Sequence, residues 1–256
     1  MKKVGIITGA SSGLGRAYAK HIDKVMDLDE LWLIARREER LVTLADSLAC
    51  DCRILALDLT ERGSIDMLQQ ALEEEKPWIS ILVCAAGFGK FGGAEDMTAR
   101  ETEDMIALNC RAAVEVTRVC IPYLHRGSRV LEVASCAAFQ PLPGMNLYAA
   151  TKAFLLHYTQ ALRRELATRG VLVTAVCPYW LKTEFMSVAR DTANPEAVRH
   201  TPFAMRPEAA AAWSLTMSGL GVGVVTCGPI PFLMRVGGKA LPACVPMALW
   251  DKLRKI

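Results

Sequence analysis

Along the chain of 256 residues, short apolar runs alternate with longer stretches of helical period. The runs are KVGIIT (3–8), LWLIA (31–35), CRILAL (52–57), ISILVC (79–84), SRVLEVA (128–134), VLVTAVC (171–177) and VGVVTC (222–227). Helical period fills roughly 13–26, 38–49, 61–75, 101–126, 146–169 and 207–218 between them. The runs are continuous rather than alternating, so the pattern predicts strands buried on both faces. Strands separated by helices predict a parallel sheet with right-handed crossovers, hence an α/β, doubly wound fold of about seven strands with helices on both faces.

Two regions depart from this rhythm. From Tyr179 to about Pro207 no strand is legible, and a loop this long reads as a functional lid. Beyond Gly228 the chain continues as a tail, 229–256, in which Val245, Leu249, Leu253 and Ile256 recur at three- to four-residue spacing with basic residues between. That spacing predicts an amphipathic helix docked by this row, or attached through it to a membrane surface or a partner. No Pro/Gly/Ser-rich linker divides the chain, so the expectation is a single domain over 1–256 with its core at about 3–228.

Composition narrows the classes. A net charge of +3 with no run of like charges argues against nucleic-acid binding. No segment has 18 consecutive apolar residues, and the VGII behind the initial MKK is too short for a signal-peptide core, so the expected location is cytoplasmic. Nine cysteines, an odd number, sit mostly in apolar runs and read as small buried hydrophobes in a reducing compartment. Cys50 and Cys52 have no second close pair, and His21, His125, His157 and His200 are scattered, so no metal is expected.

The first strand runs into TGASSGLG, with Gly9, Gly13 and Gly15 at a strand-to-helix junction. Glycines there let the backbone approach a pyrophosphate while the helix N-terminus offers N–H groups. About 20 residues beyond the loop, where an acid would bind the ribose hydroxyls of NAD, stands Ala35, followed by Arg36 and Arg37. A missing carboxylate and two guanidiniums favour the 2′-phosphate of NADP(H) over NAD(H), unless both arginines are solvated helix-start residues. Asp58, after the third run, either accepts from the adenine amino group or caps the helix beginning near Glu61.

NLYAATKAF places Tyr148 and Lys152 four apart, on one helix face. A phenol titrates near ~10, and a positive charge at ~4 Å is worth ~4 kcal/mol at an effective dielectric of 20, about three pK units. The lysine can thus bring the phenol into range as a proton donor to a carbonyl oxygen. Ser135 lies 13 residues earlier, at a strand end, where its hydroxyl can hold that oxygen.

With T8-G-A-S-S-G-L-G15, Asn109 in ALNC, Ser135 in EVASCAAF and Y148-A-A-T-K152 in order, residues 3 to 228 resemble the short-chain dehydrogenase/reductase family. The resemblance implies a Rossmann-like fold and hydride transfer between nicotinamide and a carbonyl or alcohol. It implies a catalytic set of Asn109, Ser135, Tyr148 and Lys152, with Asn109 holding a relay water and Lys152 also bonding the nicotinamide ribose. The implied cofactor contacts are Gly9, Ser11, Ser12, Gly13, Leu14, Gly15, Arg36, Arg37, Asp58, Leu59, Ala85, Ala86, Gly87, Tyr148, Lys152, Pro178 and Thr183. A homodimer or homotetramer through the helices at 101–126 and 146–169 is also implied.

Two positions depart from the family's pattern. Cys84 opens CAAG where the family has asparagine, which puts strand tying in doubt more than catalysis. Tyr179 replaces the glycine after Pro178, and Trp180 follows. With Ser135 and Met186, these aromatics predict a substrate side suited to an apolar ketone, steroid or acyl chain. The leading expectation is an NADP(H)-dependent oxidoreductase acting on a small-molecule carbonyl or alcohol. The alternatives are a non-catalytic dinucleotide-binding sensor or scaffold subunit, and a nucleotide-independent domain such as a methyltransferase.

Overall fold

Each apolar run becomes a strand because helices cover both of its faces. The computed structural model describes residues 1–201 and 203–254. Its strands are β1 (Lys3–Thr8), β2 (Glu30–Ala35), β3 (Cys52–Ala56), β4 (Trp78–Cys84), β5 (Leu124–Val133), β6 (Leu172–Cys177) and β7 (Val224–Thr226). All pair in parallel, in the order β3-β2-β1-β4-β5-β6-β7. The order reverses between β1 and β4, which opens a crevice at the carboxyl ends of these strands.

The helices are α1 (Gly13–Val25), α2 (Glu38–Ala45), α3 (Arg62–Glu75), α4 (Ala99–Ile106), α5 (Ala113–Cys120), α6 (Asn146–Leu166), α7 (Phe185–Arg190), α8 (Pro207–Gly219), α9 (Pro229–Ala240) and α10 (Cys244–Leu253). On one side of the sheet, Ile7, Leu33, Val83 and Leu131 pack with α1, α2 and α8 through Ile22, Leu41 and Leu215. On the other, Ile6, Trp32, Leu82 and Val130 pack with α3, α5 and α6 through Leu68, Val116 and Leu162. Each such side chain contributes about 1.5–3 kcal/mol on burial, which anchors the strand ends that carry the site.

Three expectations from the sequence change. The helical stretch at 38–49 stops at Ala45, because the Asp23 carboxylate accepts from Ala49 N at 3.0 Å and Cys50 N at 2.8 Å and draws the chain out of the helix. The stretch at 101–126 is not one helix. It breaks into α4, a π-helical turn at Ala107–Ala112 and α5, and its last residues belong to β5. Pro122 cannot donate to a continuing helix, and Ser128 Oγ, which accepts from His125 N at 2.9 Å and donates to Ile79 O at 2.6 Å, knits this start of β5 onto β4.

The tail forms two helices, not one, and docks by the face opposite to the expected one. Trp250 and Pro246 point inward, whereas Val245, Leu249 and Leu253 are exposed; Ile256 lies outside the described residues. Trp250 has the larger apolar surface to bury and finds an acceptor for its N–H in Pro143 O at 2.8 Å. The stretch from 179 to 207 holds α7 and a bridge between Leu181 and Met205, closed by Lys182 N to Met205 O at 3.0 Å and Met205 N to Trp180 O at 2.9 Å.

Candidate active site

The glycine loop follows β1 and opens α1. Gly9 has φ of +68°, and a Cβ there would meet Ala86 N at 2.9 Å, so glycine is required where the loops after β1 and β4 touch. Thr8 Oγ1 accepts from Ala85 N and Ala86 N, each at 3.1 Å, and so ties these strand ends. Where the sequence has Cys84, its thiol lies 3.6 Å from Thr117 Oγ1, which donates to Glu132 Oε1 at 2.6 Å. The strand tie therefore survives the loss of asparagine.

A cavity of about 710 Å³ opens between the start of α1 and the segment after β6, lined among others by Ser11, Ser12, Gly13, Arg40, Thr183 and Met186. Leu14 is buried behind the loop. At the end of β2 the arginines diverge. Arg36 pairs with Asp58 at 3.5 Å. Arg37 reaches the other way, donating to Ser11 Oγ at 3.2 Å and to Glu184 at 3.0 Å. Arg40 donates to the second oxygen of Glu184 at 2.5 Å. These hydrogen bonds, that from Arg40 first, hold the Glu184 carboxyl below its usual range. Asp58 does not cap α3, whose N-cap is Glu61; its carboxylate turns back to accept from Thr60 N at 3.0 Å and Thr60 Oγ1 at 2.7 Å. Leu59 is buried beside it.

Tyr148 and Lys152 stand one turn apart on α6, with Lys152 Nζ 5.8 Å from the centre of the Tyr148 ring. Both are buried, as is Ser135. Lys152 Nζ donates to Val133 O at 2.8 Å, which fixes the ammonium under the end of β5. Ser135 begins the turn at Cys136–Phe139 and its hydroxyl accepts from Ala137 N at 3.1 Å. In the polypeptide itself burial, not the lysine, dominates the phenol: it raises Tyr148 well above the usual range, against the pull of a hydrogen bond with Ser135. The same burial lowers Lys152 to about 8.

Asn109 sits in the π-helical turn, a distortion common at functional sites. Its side chain clamps Phe88 from both directions, donating to Phe88 O at 2.8 Å and accepting from Phe88 N at 3.1 Å, and donates to Thr151 Oγ1 at 3.0 Å. A Cβ on Gly87 would come within 2.9 Å of Asn109 Oδ1 and 3.3 Å of Lys152 Nζ. The bare backbone at Gly87 leaves that space open above both residues.

Beside the Tyr148 ring, Phe185 of α7 packs with ring centres 5.3 Å apart. Trp180 meets Phe91 edge-on at 6.1 Å and Tyr179 at 6.0 Å. Met186 and Trp250 join the same apolar cluster. Pro178 O accepts from Cys136 N at 3.0 Å, joining the loop after β6 to the Ser135 turn, and Thr183 Oγ1 accepts from Phe185 N at 3.3 Å. The structure thus gathers Ser135, Tyr148, Lys152 and Asn109 at one strand-end crevice, and sets Arg36 beside Asp58 and Arg37 beside Ser11, just beyond the end of β2.

The crevice fits a dinucleotide. The glycine loop opens α1 beside the cavity, Gly87 leaves bare backbone beside Lys152 Nζ and Asn109 Oδ1, and Arg37 reaches Ser11 of that loop from beyond β2. Sequence reasoning missed Arg40, Glu184, Phe185 and Trp250. Arg40 was within reach, since it lies three residues beyond Arg37 on a helix. The other three depend on how the segment after β6 and the tail fold back, which local spacing does not record.

The family model for short chain dehydrogenases matches residues 3–194. The chain is 34% identical over 197 residues to sulfoacetaldehyde reductase 2 of Chromohalobacter salexigens, covering 73% of this chain and 76% of that one. Its fold is similar to a short-chain dehydrogenase from Sphingobium yanoikuyae in complex with NADPH, with a TM-score of 0.75 and 28% identity over 100% of this chain and 94% of that chain. It is also similar to a 3-ketoacyl-(acyl-carrier-protein) reductase from Brucella melitensis complexed with NADH, with a TM-score of 0.73 and 27% identity over 88% and 97% of the two chains.

Proposed function

Because the chain belongs to the short-chain dehydrogenase family, an oxidoreductase family, we propose that it is an NADP(H)-dependent reductase of an apolar carbonyl compound. The observation that carries the reading is Lys152, a buried ammonium held by Val133 O beneath the ring of a buried Tyr148. A dinucleotide-binding sensor has no use for a buried proton donor with a cation beside it.

Bound NADPH would supply the hydride that reduces the carbonyl carbon. Gly9, Ser11, Ser12, Gly13, Leu14 and Gly15 would hold its pyrophosphate end, Asp58 and Leu59 its adenine, and Arg36, Arg37 and Arg40 its 2′-phosphate. Ala85, Ala86, Gly87, Pro178 and Thr183 would line its path to the nicotinamide. Ser135 Oγ holds the substrate oxygen, and Tyr148 Oη gives it a proton as charge develops there. Burial keeps the phenol protonated, so the resting side chain is the acid that reduction needs. Lys152, lowered to about 8, carries its proton at neutral pH yet stands close to titration, so Nζ can restore the proton to the phenolate. Asn109, whose amide bonds Phe88 N, Phe88 O and Thr151 Oγ1, would position the chain at Phe88 beside this path.

Apolar substrates suit the wall of Phe91, Trp180, Phe185 and Met186, packed against Tyr148. The unit is read as one catalytic domain with a lid at 179–207, in the cytoplasm, assembled as a homodimer or homotetramer through α4–α6, where Ile106 and Phe154 are exposed. The test is NADPH oxidation with a panel of aromatic, steroid, acyl and small polar carbonyls, with the alcohol product identified. Turnover of the polar members alone would remove the apolar assignment.

A further inference from the structure

The last two helices carry apolar side chains that no described part of the molecule covers. On α9, Phe232, Leu233 and Val236 are 54%, 66% and 49% exposed and lie on one helical face. On α10, Val245, Leu249 and Leu253 recur every four residues and are 48%, 59% and 53% exposed. Lys239 follows Val236 by three positions and Lys252 follows Leu249 by three, and both are exposed. Each apolar row therefore has a lysine at its edge.

The rows face outward because the inner faces are already engaged. Arg235 donates to Val224 O of β7 at 3.1 Å, Trp250 to Pro143 O at 2.8 Å, and Arg254 to Ala197 O at 2.9 Å. Both helices are thus fastened to the body by their inner faces, which leaves each apolar row turned away from it.

Charge selects the occupant. Arg235 and Arg254 are turned to the body and Asp251 is paired with Arg254 at 2.7 Å, so the exposed charges beside the apolar rows are those of Lys239 and Lys252, both positive. A second copy laid on this surface would set two positively charged tails against each other. An anionic lipid surface suits both features: the apolar rows enter the acyl boundary while lysine stems reach up to the phosphates. Among the described residues no helix is long and apolar enough to cross a membrane, so the helices would lie in the interface plane. We propose that α9 and α10 attach the protein peripherally to anionic membranes. The surface also touches the site, since α10 presents Leu249 outward and, one residue on, Trp250 to the Tyr148 cluster.

The test is flotation of the full chain with vesicles of phosphatidylcholine alone, or with phosphatidylglycerol added, at low and high salt. Sedimentation measures self-association in parallel. The wild type should float with the anionic vesicles only, and less at high salt. Both the pair Leu249→Asp, Leu253→Asp and the pair Lys239→Glu, Lys252→Glu should bind at least tenfold more weakly. Both should keep the circular dichroism spectrum and the NADPH affinity of the wild type, since these side chains are exposed. The proposal is overturned if the wild type stays unbound, binds neutral vesicles as well as anionic ones, or floats no better than the variants. It is equally overturned if the aspartate pair breaks up a dimer of a wild type that does not float.

Discussion

The carboxylate of Glu184, in the segment after β6, lies 3.0 Å from the guanidinium of Arg37, beyond the end of β2, beside the cavity that Ser11 and Ser12 line. Arg40 takes its other oxygen. An anion already occupies the cations proposed for the NADP phosphate, so a bound phosphate would compete with Glu184 for them. Both ion pairs are roughly half exposed and each is worth about 0.2–1 kcal/mol. Glu184→Gln should therefore tighten NADPH by about fivefold, leave NADH affinity unchanged and barely move the melting temperature. Fluorescence titration of both cofactors checks this, and equal tightening of both would detach Glu184 from the phosphate.

Cofactor choice follows from the same corner. Replacing Arg36 and Arg37 together by alanine removes charge-assisted bonds at a solvent-facing rim. The expected loss is about 2 kcal/mol, or roughly thirtyfold in NADPH affinity, with NADH nearly unaffected. Ala35→Asp should act in the same direction by repelling the phosphate. The kcat/KM values for NADPH and NADH in each variant decide it. Equal loss of both cofactors would mean that the arginines act only on the surface.

Much of this site was legible because its chemistry is local. Tyr148 and Lys152 are one turn apart, and the glycine loop and Arg36–Arg37 sit at strand ends that continuous apolar runs mark. What escaped was set by competition between distant surfaces. On α10 the row Val245, Leu249, Leu253 looked like the docking face, but Trp250 buries more and finds an acceptor in Pro143. The helix expected to run through 126 gave way where Pro122 stops it and Ser128 binds the chain to β4. Glu184 is an ordinary surface acid until the chain after β6 carries it to Arg37.

Glu132 is fully buried and only one of its oxygens has a partner, Thr117 Oγ1. Burial raises its carboxyl from 4.5 to about 7. The folded state therefore binds more protons than the unfolded state between these values, and stability falls as pH rises from about 4.5 to 7. The difference amounts to about 3 kcal/mol. Glu132→Gln, about the same size and uncharged, should match the wild type near pH 5 and exceed it at pH 8. Urea melts across this range measure it, and parallel profiles for the two proteins would show that Glu132 does not titrate there.

Phe185, in the segment proposed as a lid, lies against the Tyr148 ring, so a moving lid would change the surroundings of the phenol. Residues 184–201 and 203–206 should exchange amide hydrogens faster in the protein alone than with NADPH and a carbonyl substrate together. Equal protection in both states would remove the lid assignment.

The central claim is that Tyr148 Oη delivers the proton to a carbonyl oxygen. Tyr148→Phe keeps the ring and its packing on Phe185 and removes only that hydroxyl. Single-turnover reduction of the best carbonyl substrate, alongside NADPH titration of the same sample, is the direct measurement. The reduction rate should fall by at least about a hundredfold, the scale of a lost general acid, with NADPH affinity within a factor of about two of the wild type. A variant that binds NADPH normally and still reduces the substrate at more than about a tenth of the wild-type rate would contradict the assignment of Tyr148.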